Sequence, residues 1–217
     1  MVWIIGHSFV YWAQQRANGR SYSSNLGLDP SSFQVFWFGR RGMGWEDLLF
    51  EFNTLLLSFP EPNVLILHLG GNDIGQMKTM DLIFSIRDTI LIIKEACPNL
   101  VVVFSEIIPR LRWLESAALK PFEKVRKRIN KAVEKFMSPS LGFSFRHVDL
   151  EGGIEGLYRS DGVHLSGIGL DILNVSFQAC VERAAGWVWV PVWVEATLAW
   201  RMGWLLKSFY YSSSRSD

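Results

Sequence analysis

The stretch NVLILHLGGND, residues 63–73, is almost continuously apolar as far as Leu69, then turns at once to glycine, asparagine and aspartate. A strand with one face in water alternates apolar and polar side chains; a strand covered on both faces need not. Residues 63–70 therefore predict a buried strand, and GGND (70–73) predicts a polar turn at its end.

Four other segments extend this pattern. VWIIG (2–6) predicts the first strand, FQVFWF (33–38) the second, LVVVFSEI (100–107) the fourth and FSFRHVDL (143–150) a shorter fifth. Between them lie helical periodicities. Residues 45–59 repeat Leu48, Leu49, Phe52, Leu55 and Leu56; residues 80–97 repeat Ile83, Ile86, Ile90 and Ile93; residues 121–136 repeat Val125, Ile129, Val133 and Phe136. Pro121 suits a helix's first turn. A last helix is expected near 167–184. Strands alternating with helices predict an α/β protein, a mainly parallel five-stranded sheet between two helical layers. Ligands in such sheets sit beyond the carboxyl ends of the strands.

Composition narrows the classes of function. The 217 residues are 49% hydrophobic and 20% charged, with a net charge of +1 at pH 7. A large core is expected, and no strong field toward nucleic acid. Cys97 and Cys180, the only cysteines, read as buried thiols and make neither a disulfide framework nor a metal site. No secretory leader is legible in the start MVWIIG, so a cytoplasmic or nuclear location is the default expectation. The domain is assigned to residues 1–185. Residues 186–217 form a tryptophan-rich extension, with five of the ten tryptophans before residue 207 and a YYSSSRSD end expected to fray. Pro191, Glu195 and Arg201 argue against a clean membrane-spanning helix there, which leaves packing on the domain ahead of membrane contact.

Four polar clusters fall at strand ends. Ser8, in GHSF, follows the first strand; alone, it reads most simply as a helix cap worth about 1 kcal/mol. GRRGMG follows the second strand and offers Gly42 or Gly44 as an open backbone N–H. GGND follows the third and carries Asn72, whose side-chain amide can donate to a developing oxyanion, with Asp73 beside it. DGVHLS (161–166) follows the fifth and carries Asp161 and His164, a carboxylate and an imidazole on one tight turn. Each is an ordinary turn by itself. A serine needs a base to act as nucleophile, and an imidazole needs a carboxylate to fix its tautomer.

In this order, and at these strand ends, the four clusters over residues 2–184 resemble the motifs of the SGNH hydrolases, the GDSL-like esterase and lipase superfamily. The resemblance implies a flavodoxin-like three-layer α/β/α sandwich. It implies Ser8 as nucleophile, His164 as base and Asp161 as triad acid. It further implies an oxyanion hole from the Ser8 and Gly42 N–H groups and the Asn72 amide, with no cofactor and no metal. An acyl-ester small molecule is the implied substrate, either an acetylated sugar or a lipid, and no specific protein partner is expected. Similar domains occur, by analogy, in proteins encoded by mobile elements. One departure stands out: His7 occupies the position where the family carries an aspartate. That aspartate is not the triad acid, so His7 is expected to modulate the nucleophile turn, as is Asp73 beside Asn72. Arg110, Arg112 and Trp113, after the fourth strand, are expected to contact substrate, and Trp12 and Trp45 are further candidates for apolar walls.

The main alternative is a catalytically weakened or inactive binding module on the same scaffold. It rests on His7 and on residues 120–135, where seven lysines or arginines face two glutamates, a local charge of +5. Nucleic acid is the implied partner, although the apolar stripe already explains that segment as a helix with a solvated face. A dinucleotide-binding enzyme fits less well, since neither GHSFVY nor GRRGMG has the glycine spacing that a pyrophosphate requires.

Overall fold

A computed structural model describes residues 1–113 and 119–188 of the chain. Its elements are β1 (Val2–Gly6), α1 (Ser8–Asn18), β2 (Val35–Gly39), α2 (Leu48–Ser58), β3 (Val64–His68), α3 (Thr79–Ala96), β4 (Val101–Ser105), α4 (Leu119–Phe136), β5 (Gly142–Phe145) and α5 (Gly167–Val188). A short 3-10 turn, Trp45–Asp47, leads into α2. The five strands form one sheet in the order 2-1-3-4-5, every pairing parallel.

Alternate side chains of the central strands enter two separate cores, because successive Cβ atoms point to opposite faces. Trp3, Ile5, Leu65, Leu67, Val102 and Phe104 pack with α2, α3 and α4. Val2, Ile4, Val64, Ile66 and Val103 pack with α1 and α5. The sheet is thus the middle layer of a three-layer α/β/α sandwich, and the continuous apolar reading of 63–70 has its physical cause. All five β3 residues are buried.

The helical stripes face these cores. Ile83, Ile86, Ile90 and Ile93 of α3 are buried, as are Leu48, Phe52 and Leu55 of α2 and Ile129 and Val133 of α4. Most boundaries shift by one or two residues, and two differ by more. The fifth strand ends at Phe145 rather than at residue 150: Phe145 makes the last register pair, with Ser105, and Val148–Leu150 form a 3-10 turn. There the His147 ring turns inward to the Ser105 and Ser176 hydroxyls instead of continuing the ladder. Helix α5 runs on to Val188, with Trp187 tilted against Phe143 at 5.4 Å between ring centroids. The rest of the tryptophan-rich extension lies outside the described residues. Among the described residues, no helix is long and apolar enough to cross a membrane.

The charged face of α4 also needs correction. Arg126 is fully buried, not part of a solvated rim. Its guanidinium donates to Glu123 at 2.9 Å, to both oxygens of Glu151 at 2.9 and 3.1 Å, and to the Ile107 carbonyl at 2.8 Å. Asn130, one helical turn on, donates to the same carbonyl and accepts from the Ile107 N–H. Together they fix the chain just beyond β4, and Arg126 is not free to meet a phosphate. Removing the cation would leave two partly buried carboxylates without their partner. Arg126→Met is expected to destabilise the fold by about 3 kcal/mol, read as a lower urea midpoint with an unchanged slope.

Candidate active site

The chain leaves β1 toward β2 on one side of the sheet and later returns to β3 on the other. The crevice between the ends of β1 and β3 is the switch point where open α/β sheets hold ligands. Ser8 lies at the end of β1 and Asn72 follows β3.

Helix α1 begins at Ser8, but Ser8 is not its cap. His7 is the N-cap residue, and its Nδ1 accepts the Phe9 N–H at 3.3 Å. The imidazole thereby does what an aspartate oxygen can do at that position, and the Ser8 hydroxyl is left for another partner. His7 is buried, and burial holds its pKa well below the usual value, reinforced by His68, Arg110 and His164. A neutral ring with Nδ1 as acceptor carries its proton on Nε2. Ser8 N–H, in the first turn of α1, has no intrahelical acceptor and lies at the positive end of the helix dipole.

His164 Nε2 lies 3.2 Å from Ser8 Oγ, and its Nδ1 lies 2.8 Å from Asp161 Oδ2. The other carboxylate oxygen, Oδ1, accepts the backbone N–H groups of Val163 and His164 at 2.8 and 2.9 Å. Gly162, at φ +66°, makes this tight turn possible. Burial raises the Asp161 pKa, but the hydrogen bonds from His164 and the two backbone groups outweigh it and bring it down to about 2. The loop is anchored at both ends. Arg159 N–H donates to the His164 carbonyl at 2.7 Å, and Leu165 bridges Tyr158. Ser166 begins the final helix, accepting the Gly169 N–H on its hydroxyl.

The third group is built around Asn72. Its Nδ2 donates to the Met43 carbonyl at 3.0 Å, tying it to the Gly42 loop, and its Oδ1 accepts from Arg110 Nη2 at 2.8 Å. One of the two amide protons is therefore committed and the other remains available. Gly42 has φ +80°, in the left-handed region. Its loop is held by Asp47, which accepts the Gly44 N–H at 2.9 Å and pairs with Arg40 at 2.9 Å. Asp73 Oδ1 accepts the Trp45 N–H at 2.9 Å, while Oδ2 is buried without a partner; burial pushes the Asp73 pKa up. Asp73 therefore joins the β2 and β3 loops from below. Ser8, Gly42, Asn72 and His164 all line one cleft of about 590 Å³, whose remaining walls are Trp12, Arg41, Arg159 and Val163.

Four expectations change. Arg110 and Trp113 are buried behind Asn72 and do not line the cleft. Arg110 lies over the rings of Phe9, at 5.6 Å, and Trp113, at 5.1 Å, and burial lowers its pKa to about 10, so it stays charged at neutral pH. Its Nε has no acceptor, and among the described residues no carboxylate pairs with it. Arg112 is exposed, but its side chain runs along Gly162 and does not line the cleft. Of the tryptophans, Trp12 lines the cleft and Trp45 belongs to the core.

A buried polar chain beneath the strand ends went almost unannounced by local pattern. His68 Nδ1 lies 2.8 Å from Ser105 Oγ, which lies 2.7 Å from His147 Nε2, and His147 Nδ1 lies 2.6 Å from Ser176 Oγ. Only His68 sitting inside an otherwise apolar strand hinted at it. The His7 and His68 rings are 5.4 Å apart, so this chain ends beside the turn that carries Ser8.

No protein-family model matches the sequence, and no curated protein matches it. Solved structures do share its architecture, which is the SGNH-hydrolase fold. They include a candidate acylhydrolase from Bacteroides fragilis, 14% identical, TM-score 0.66, covering 84% of this chain and 86% of that one. A GDSL-like lipase from Bacteroides thetaiotaomicron is 16% identical, TM-score 0.62, with 84% and 88% covered. An acetylxylan esterase from Geobacillus stearothermophilus, solved as a catalytic mutant, is 13% identical, TM-score 0.58, with 81% and 91% covered.

Burial holds His7, His68 and His147 below the ordinary histidine pKa, His147 at about 4. In the unfolded chain each would take up a proton near pH 6.5. Their stabilising contribution is therefore complete above pH 6.5 and falls as the pH drops toward the folded-state values. Each should contribute a loss of about 1.4 kcal/mol per pH unit in that window. Urea denaturation at pH 7, 6 and 5 checks this, and His147→Gln should flatten the slope by one histidine's share.

Proposed function

We propose that the chain is a serine esterase that cleaves a carboxylic ester through an acyl-serine intermediate. The observation that carries this reading is the continuous hydrogen-bonded route from Ser8 Oγ through His164 to Asp161. In this reading Ser8 Oγ attacks the ester carbonyl carbon as His164 Nε2 takes the hydroxyl proton, and Asp161 stabilises the imidazolium. The tetrahedral oxyanion receives the N–H groups of Ser8 and Gly42 and the uncommitted proton of the Asn72 amide. The C–O bond to the alcohol then breaks, and His164 returns the proton to the leaving oxygen. A water, deprotonated by His164, attacks the acyl-serine and releases the acid and free Ser8. The chemistry requires neither metal nor organic cofactor.

Arg110 is a positioning residue in this scheme. Its bond to Asn72 Oδ1 fixes which end of the amide faces the cleft and draws electron density from the donating nitrogen. His7 supports an active site over a weakened one, since its Nδ1 preserves the helix cap beside Ser8. A catalytically silent binding module would have no need of a base aligned on an uncapped serine.

An organophosphonate probe should label the protein covalently, and Ser8→Ala should abolish the labelling while the fold is retained. Labelling that persists in folded Ser8→Ala protein would exclude Ser8 as nucleophile. Among short acyl esters, acetylated sugars and lipid esters, any that are turned over should lose at least about 100-fold in kcat on Asn72→Ala. Arg110→Met should lower kcat with little change in KM, and Arg110→Lys should recover part of the loss.

A further inference from the structure

The walls of the cleft carry a charge pattern that the ester chemistry does not use. Arg41 and Arg159 both line it, and among the described residues no carboxylate residue does. Several other surface arginines pair with carboxylates: Arg16 and Arg20 share Asp171, Arg40 pairs with Asp47, and Arg146 reaches Glu151. Among the described residues Arg87, Arg112, Arg128 and Arg183 do not, and they lie outside the cleft. Among the described residues, neither Arg41 nor Arg159 has a carboxylate within ion-pair distance.

Both are held in place by aromatic faces. Arg159 lies over Trp12 at 4.3 Å, with its Nε donating to the Leu165 carbonyl at 3.2 Å, and Arg41 lies over Tyr11 at 5.5 Å. Tyr11 and Trp12 are neighbours on α1, packed edge to face at 5.1 Å, three and four residues beyond Ser8. The helix that presents the serine hydroxyl therefore also carries the platform for both guanidinium groups. One cation reaches the cleft from the Gly42 loop and the other from the loop that carries Asp161 and His164. Stacking leaves the outer N–H groups of Arg159 free to donate, and a stacked side chain loses less freedom when it binds. The chain as a whole is nearly neutral, so this concentration of positive charge is local.

We infer that the cleft selects an ester that also bears an anionic group, a carboxylate or a phosphate, which Arg41 and Arg159 bind while the ester carbonyl lies at Ser8. This rests on the esterase reading above and narrows it, against neutral acetylated sugars and neutral lipid esters. Because both arginines are exposed to solvent, the selection is sensitive to salt.

Two matched pairs of esters test it. Mono-4-nitrophenyl glutarate against 4-nitrophenyl butyrate places a carboxylate on the acyl side; 4-acetoxyphenyl phosphate against phenyl acetate places a phosphate on the alcohol side. In at least one pair the anionic member should be favoured in kcat/KM by about fivefold or more at low ionic strength, and whichever pair responds identifies the anion and its side. Arg41→Gln and Arg159→Gln should each reduce that ratio several-fold, 0.5 M sodium chloride should erase it, and Lys131→Gln on α4 should leave it unchanged. Calorimetry on Ser8→Ala protein separates selection from catalysis, with monomethyl glutarate expected to bind more tightly than dimethyl glutarate. If no ester is turned over but that binding preference holds and disappears in the arginine variants, the esterase reading falls and the anion site stands. Equal turnover within both pairs, or a preference unchanged in Arg41→Gln and Arg159→Gln, overturns the inference.

Discussion

The site depends on the close approach of α1 to the ends of three strands, which two glycines permit. Gly6 and Gly39 face each other in the β1–β2 register. A Cβ on Gly6 would stand 2.4 Å from both the His68 carbonyl oxygen and a Val10 methyl, and one on Gly39 would stand 2.3 Å from the Tyr11 backbone nitrogen. Neither position has room for a methyl group without moving backbone. With both bare, the first turn of α1 settles directly on the sheet edge. Ser8 then comes within reach of the Asn72 loop on one side and the His164 loop on the other.

Around that turn, polar groups sort by whether they retain charge. His7, His68 and His147 are buried and neutral; His7 accepts the Phe9 N–H, while His68 and His147 bond to the Ser105 and Ser176 hydroxyls. Arg110 is buried and remains charged, with Asn72 as its polar contact on the cleft side. Asp161 remains ionised because three N–H groups converge on it. The result is a buried, positively charged wall behind Asn72, with the Asp161 carboxylate on the far side of the His164 imidazole from Ser8. A preorganised arrangement of this kind needs little reorientation when charge develops.

Much of this was legible from local pattern. Continuous apolar runs and period-3.6 repeats report burial directly, so the five strands, the helices between them and the α/β/α layering follow from runs such as 63–70 and 80–97. The residues that meet in the cleft were legible because they sit on short polar breaks after those runs. What stayed hidden was which distant side chain each would meet. Arg110 reads as a substrate contact and Arg126 as part of a solvated helix face because nothing within a few residues of either announces the Asn72 amide or the Glu151 carboxylate that receives it. His68 and Ser105 lie in strands whose apolar neighbours would look the same with or without a polar thread between sheet and α5. Ser8 was first read as a cap because serine often is one; that His7 takes the task instead depends on a ring orientation that pattern does not encode.

Asp171, near the start of α5, accepts from Arg16, Arg20 and Tyr22, at the far end of α1 and just beyond it, and Asn174 donates to the Ala13 carbonyl at 3.0 Å. These contacts join residues about 150 positions apart, in the same pair of elements whose approach brings Ser8 and His164 together. During synthesis, β1 and α1 are made well before α5 and lack the helix against which they are locked until α5 has emerged. Ser8 is thus made 156 residues ahead of the imidazole it meets. Long-range closures of this kind come late and slowly in folding, so a partly made chain presents a sheet and no site.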